Sequence, residues 1–251
     1  MRKPIVIALL LGLTMSAGLS VDFERLMSSG NSFYEQGDFK KAIGEYEKIL
    51  AADGVSAALH YNLGCAYFNQ ENYGKAILHF EKARQLDPRD PDIQHNLKFT
   101  KLFLKDRFDL PDPMPVVAWF NTLRKSLSLS ELKQLELILF SLTIIGFLLY
   151  RLLLSHYSAR IFLITSVTTG IMSLLSAGWL WSRTATDLNH QAVLLSDEAN
   201  VVSAPVPGSG TLFVIHEGTT GEILNTTDSW YEIRLPDGKM GWIVHEVVGI
   251  F

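Results

Sequence analysis

NLGCAYFNQENYGKAILHFEKARQLDP, residues 62–88, is the second running of a pattern the chain has already used once. Gly30, Phe33, Ala42 and Tyr46 return 34 positions later as Gly64, Tyr67, Ala76 and Phe80, and EQGDFKKAI (35–43) returns as NQENYGKAI (69–77). Self-similarity at such a period is the mark of stacked helix pairs, each unit too small to bury its apolar face alone. Gly64 and Ala76 are small because two antiparallel helices must approach closely at those positions. The aromatic residues then fill the space between the helices.

The pattern resembles the tetratricopeptide repeat, with Leu63, Gly64, Tyr67, Ala76, Phe80, Ala83 and Pro88 all in place in the second copy. The first copy departs at Ser29, where leucine is usual, and at Ile49 and Gly54, where alanine and proline are usual, but its spacing is intact. Repeats are expected over 23–56 and 57–90. Pro91 to Phe108 opens a third copy, with Leu97 in register with Leu63, and is expected to run on as one capping helix over 91–108, closing a repeat domain at 23–108. The resemblance implies a concave groove that binds peptides, with Asn31, Asn62, Phe68, Asn69 and Asn96 facing it. Asn62 and Asn96 can each donate to and accept from a ligand backbone; the alternative is that they are solvated helix residues. Some relatives hold a terminal carboxylate with a lysine and an arginine; the matching positions here are Asp92 and Asn96, so that clamp is absent.

Before the repeats, MRKPIVIALLLGLTMSAGLS (1–20) has cations, an apolar core from Ile5 to Leu13, and small residues, in the order of an export signal. A cleaved signal peptide over 1–20 or an uncleaved anchor would each carry the repeats across the membrane, which in a Gram-negative bacterium means into the periplasm. After the repeats, the prolines of FDLPDPMP end the helical region, and a linker at 109–134 follows. Within it, Trp119, Phe120 and Leu123 stand beside Arg124 and Lys125 in a segment (116–130) suited to the bilayer interface.

Two apolar runs then read as membrane helices over 135–154 and 161–182. Nothing is charged from Leu137 to Tyr150 or from Ile161 to Trp181; the first run reaches a spanning length if Arg151 extends to the headgroups, and the second, about 30 Å long as a helix, is enough by itself. Thr169, Ser173 and Ala177 place small residues on one face of the second, where the first can pack. With no ionisable residue deep in either span, an ion pathway lacks a carrier. Cationic residues flank the hairpin on both sides (Arg124, Lys125, Lys133 and Arg183 against Arg151 and Arg160), so loop charge does not name the inner face. A hairpin does fix parity: the regions before and after it lie on the same side.

Residues 191–251 alternate short runs rich in Val, Ile, Tyr and Trp with turn clusters such as PVPGSG and PDGK, the pattern of small β structure. The segment resembles bacterial SH3-like domains through Val201, Ser203 and Pro205, Glu217–Gly218–Thr219, Trp230–Tyr231, Asp237–Gly238 and Gly241–Trp242. Asp237–Gly238 is expected to make a hairpin turn. Relatives that bind cell-wall peptides use an aromatic groove, which makes Trp230, Tyr231 and Trp242 the candidates here, the alternative being that the two tryptophans are core and rim structure; Val202 stands where those relatives carry arginine.

The fold class expected is therefore multidomain: an all-α repeat solenoid, a two-helix transmembrane hairpin and a small all-β SH3-like barrel. The net charge of −4 gives no basic field for nucleic acid, and one cysteine in 251 residues excludes an intrachain disulfide. The seven histidines show no HExxH spacing, and GxGxxG, GxxxxGK[ST] and GxSxG are absent, which argues against an enzyme and against a cofactor. Cys65, beside a packing glycine, is a small packing residue or a single redox thiol.

In the order of its parts the chain resembles the BatE-type proteins of the aerotolerance operon of Bacteroidetes and some spirochaetes. That resemblance implies an inner-membrane scaffold of the cell envelope, with von Willebrand factor A domain membrane proteins and a MoxR-type ATPase system as partners. The alternative is a cell-wall recognition protein acting through the SH3-like domain.

Overall fold

The computed structural model describes residues 22–108, 114–116, 127–153, 159–187 and 191–251. The expected signal and most of the interfacial segment, with Trp119, Phe120, Leu123, Arg124 and Lys125, lie outside the described residues.

Five helices build the repeat region: α1 over 22–35, α2 Phe39–Ala51, α3 Ala57–Asn69, α4 Tyr73–Leu86 and α5 Pro91–Thr100. Each of α2 to α5 starts on a side chain that accepts a backbone N–H of its own first turn: Asp38, Ser56, Asn72 and Asp90. The 34-residue echo has a packing reason. A methyl group placed on Gly30 would lie 2.4 Å from the Tyr46 ring, and one on Gly64 2.6 Å from Phe80, so in both repeats an aromatic of the second helix lies flat on a glycine of the first. Tyr46, Leu59, Leu63, Ala76, Ile77 and Phe80 form the centre of this core.

The expected single helix over 91–108 stops at Thr100. A 3-10 turn, Lys101–Phe103, follows, and the chain then runs without helical hydrogen bonds to Phe108. Tertiary contact outweighs helix propensity here. Lys101 reaches the buried Glu81 of α4 at 3.3 Å, Leu104 lies over Gly218, and Phe108 joins the apolar core of the C-terminal unit.

Helices α6 (Leu129–Leu152) and α7 (Ala159–Asp187) are long and apolar enough to cross a membrane, α7 over Ala159–Ser182. The first begins six residues before the expected 135, because Ser128 and Glu131 form a reciprocal capping box. Its 24 residues span about 36 Å, more than the roughly 30 Å of hydrocarbon. The two pack through small and hydroxyl residues: Ser166 donates to the Thr143 carbonyl at 2.9 Å, Thr143 to Thr169 at 3.1 Å, and Gly146 lies against Ser166. Ser173 donates to Glu136 at 2.7 Å, and Ser176 bonds the same carboxylate. The small-residue stripe is thus Ser166, Thr169, Ser173 and Ser176, and it carries one acid at its end.

Seven antiparallel strands follow: β1 Gln191–Leu194, β2 Glu198–Val202, β3 Thr211–His216, β4 Thr220–Thr226, β5 Trp230–Arg234, β6 Met240–Val244 and β7 Val248–Ile250. They form one sheet in the order β3-β2-β6-β5-β4-β1-β7 around Leu194, Val201, Ile215, Ile233 and Ile243. The β5–β6 hairpin turns at Asp237–Gly238, with Gly238 at φ +88°. Helix α4 packs on β1 and β7, so the sheet unit and the repeats, one on either side of the helical hairpin in sequence, lie together.

Candidate functional site

The first helices of the repeat pairs, α1 and α3, together with α5, line a groove in two adjoining halves. Asn31, Tyr34 and Glu35 of α1, Tyr46 of α2, and Tyr61, Asn62 and Cys65 of α3 line one half, about 280 Å³ in volume. Phe68 and Asn69 of α3 with Asn96, Phe99 and Thr100 of α5 line the other, about 150 Å³, and Tyr34 and Cys65 border both. All five residues expected to face a groove are brought together here.

A hydrogen-bonded ladder fixes the amides. Tyr46 donates to Asn31 Oδ1 at 2.8 Å and Asn62 Nδ2 to the same oxygen at 3.0 Å. Asn69 Nδ2 donates to the Tyr34 hydroxyl at 3.0 Å, and Asn96 Nδ2 to the Tyr61 hydroxyl at 2.9 Å. Asn69 Nδ2 also donates to the Cys65 carbonyl at 2.8 Å and Asn96 Nδ2 to the Cys65 thiol at 3.6 Å, so these two amides offer a ligand their carbonyl oxygens, whereas Asn62 Nδ2, engaged once, keeps a second N–H beside its carbonyl. Burial first, with neighbouring acidic groups adding, pushes the Tyr46 and Tyr61 hydroxyls up to about 12. Both therefore stay neutral, Tyr46 donating to Asn31 and Tyr61 accepting from Asn96. Burial likewise raises the Cys65 thiol above its usual range, so it stays protonated, 3.6 Å from Asn96 Nδ2.

One end of the groove is an aromatic wall of which the sequence pattern named Phe68 alone. Phe68 contacts Tyr73, Phe99 and Phe103, with centroids 5.7, 5.6 and 5.3 Å away, and Phe99 and Phe103 remain about half exposed. Phe99 stands 34 residues after Cys65, and Phe103 34 after Asn69. Extending the repeat register into the third copy would have found both.

The wall continues into the contact with the sheet unit. Asp106 accepts the His216 backbone N–H at 2.7 Å, the His216 imidazole at 2.8 Å and the Thr219 hydroxyl at 2.7 Å. Burial alone would raise its carboxyl, but these bonds from Thr219 and His216 outweigh it and hold Asp106 below the usual carboxylate range. Glu217 meanwhile reaches the amide of Gly74, the second residue of α4. Behind the groove, the buried rings of His60 and His79 face each other with Nδ1 atoms 3.0 Å apart, and His79 stacks on Tyr67. Among the described residues no three His, Cys, Asp or Glu side chains gather as metal ligands do.

The aromatic candidates of the sheet unit do not form one set. Trp242 pairs with Glu232, and Trp230 stands two residues before Glu232, so the two tryptophans share a face of the sheet. Tyr231 points to the other face, beside buried Ile233 and Ile243, and stacks on His245 at 3.7 Å.

Residues 28–91 match the tetratricopeptide repeat family. The chain is similar to the second tetratricopeptide repeat domain of Spaghetti (RPAP3) bound to the HSP90 peptide SRMEEVD, at 25% identity over 35% of this chain and 82% of that one, with a TM-score of 0.33. No curated protein matches the chain. The family match thus covers one segment, residues 28–91, about a quarter of the chain.

Proposed function

We propose that the chain is a non-enzymatic, membrane-anchored scaffold of the bacterial cell envelope whose repeat groove holds a segment of another protein. The observation that carries this reading is the two-part groove, in which all five amide and aromatic candidates converge between α1, α3 and α5. The order of the parts, like that of BatE-type proteins, supports a place in an aerotolerance or envelope-stress complex, with von Willebrand factor A domain proteins and a MoxR-type ATPase system as partners. The export-like N-terminus supports placing the repeats and the SH3-like unit in the periplasm, on an inner membrane crossed by α6 and α7.

A photo-crosslinking residue in place of Asn69, at native expression, tests the reading. Capture of a von Willebrand factor A domain protein, lost when Asn62 and Asn96 become alanine, is the expected result. Cells in which position 69 captures nothing would count against the scaffold.

A second reading, cell-wall recognition, has one observation in its favour: Trp230 and Trp242 share a half-buried face of the sheet. Retention on isolated sacculi that disappears in a folded Trp242→Ala chain would favour it.

A further inference from the structure

The groove differs along its length in charge as well as in shape. Its α1–α3 half is lined by amides, tyrosine hydroxyls and the carboxylate of Glu35. Its α3–α5 half is walled by Phe68 and Phe99, with Phe103 packed on both. Among the described residues lining the two halves, Glu35 is the one that carries a charge, and no lysine or arginine is present. A second carboxylate, Asp92 in the first turn of α5, acts on the groove from the far side: after burial, its charge is among the causes that raise Tyr61 and Cys65. An acidic ligand entering here meets two like charges and no counter-charge. A cation meets Glu35 beside oriented carbonyl oxygens, in a cleft where low-dielectric walls strengthen the attraction.

Spacing follows from the helices. The two halves lie between neighbouring helices, so their centres are separated by about one interhelical distance, roughly 9 Å, which a polyproline II segment, rising about 3.1 Å per residue with every third side chain on one face, covers in about three residues. We infer that the groove takes a protein segment in this extended form carrying a lysine or arginine for the Glu35 half and, about three residues away, a bulky apolar side chain for the Phe68–Phe99–Phe103 wall. This rests on the scaffold reading above and adds the chemistry of what is held.

The test is fluorescence anisotropy with the full chain in an uncharged maltoside detergent. The probes are short glycine–serine peptides, acetylated and amidated, carrying Arg and Phe at that spacing, Glu in place of Arg, or Ala in place of Phe. The Arg/Phe peptide is expected to bind about tenfold tighter than the Glu/Phe peptide. Glu35→Gln, and separately Asp92→Asn, should narrow that ratio without abolishing binding, while Asn62→Ala weakens every peptide alike. Equal or tighter binding of the Glu/Phe peptide, still weakened by Asn62→Ala, would overturn the cation preference and leave the peptide groove standing. No binding by any peptide, together with no capture from position 69, would overturn both.

Discussion

Glu217 accepts the backbone N–H of Gly74 at 2.8 Å, so a side chain from the turn between β3 and β4 sits on the N-terminal turn of a repeat helix. Helix N-termini favour negative charge, because their first amides have no partner within the helix. Burial raises the Glu217 carboxyl, and the amides of Gly74 and Tyr73 act against that rise. The contact ties the sheet unit to α4 beside the aromatic wall of the groove, since Tyr73 stacks on Phe103.

Gly74 is what allows this approach. A methyl group there would lie 2.5 Å from the Leu194 carbonyl oxygen and 3.2 Å from the Leu195 Cα, both backbone atoms that do not swing aside. Gly74→Ala is expected to weaken docking of the sheet unit by about 1–3 kcal/mol. Hydrogen exchange should show this as lost protection over 104–108 and 216–219. Lys40→Ala, at the equivalent position of the first repeat, should leave protection unchanged.

The His60–His79 pair makes the repeat core sensitive to acid. Burial, then the positive charge of Lys82, pulls His60 down to about 4; burial, then His60, Lys82 and Lys75, pulls His79 down to about 3. Both values lie below the unfolded value of about 6.5, so the unfolded chain binds more protons. The stability this contributes is whole above pH ~6.5 and declines as pH falls through about 4 and then about 3. Thermal melting of the detergent-solubilised chain should drop over that window. Replacing both histidines with leucine should flatten the profile. Replacing one alone leaves a buried ring nitrogen without its partner, at a cost of about 1–3 kcal/mol at neutral pH.

The fold was legible where one element repeats or alternates by itself. Gly30 and Gly64 announce the helix packing, the uncharged runs announce α6 and α7, and Asp237–Gly238 announces the β5–β6 turn. Contacts between elements distant in sequence were not legible, because no periodicity encodes them. Asp106 reads as an ordinary polar residue of the capping helix until His216 and Thr219, more than a hundred positions away, arrive beside it. The strap from Leu104 to Phe108 therefore reads as more helix. Gly74 carried the one local sign, a glycine standing where the first repeat has Lys40. In the groove, the amides were legible by register. Tyr34, Tyr46 and Tyr61 were not, since the same aromatic residues serve equally well as core.

Glu136 is the hinge of the hairpin's packing. Its carboxylate accepts from Ser173 and Ser176, while Thr143 meets Thr169 nearer the middle of the span. With Cys65→Ser as background, Thr143→Cys and Thr169→Cys should cross-link readily under mild oxidation. Adding Ser173→Ala and Ser176→Ala removes two hydroxyl donors worth about 0.6 kcal/mol each in a membrane, and the cross-linked fraction should fall. An unchanged yield would show that the small-residue contacts hold the pair without the acid.

Cys65 gives both the side of the membrane and the occupancy of the groove. The thiol is half-buried and its pKa is raised first by burial, so labelling by a maleimide should be slow at pH 7 and climb as pH rises, because the thiolate is the reactive form. In cells with only the outer membrane opened, an impermeant maleimide is expected to reach Cys65, with a denatured sample marking full labelling. If labelling instead requires breaching the inner membrane, the periplasmic placement and the cell-wall reading both fall. Because Cys65 borders both halves of the groove, a bound segment has to pass over it. A peptide that binds without slowing the labelling would therefore sit outside the groove.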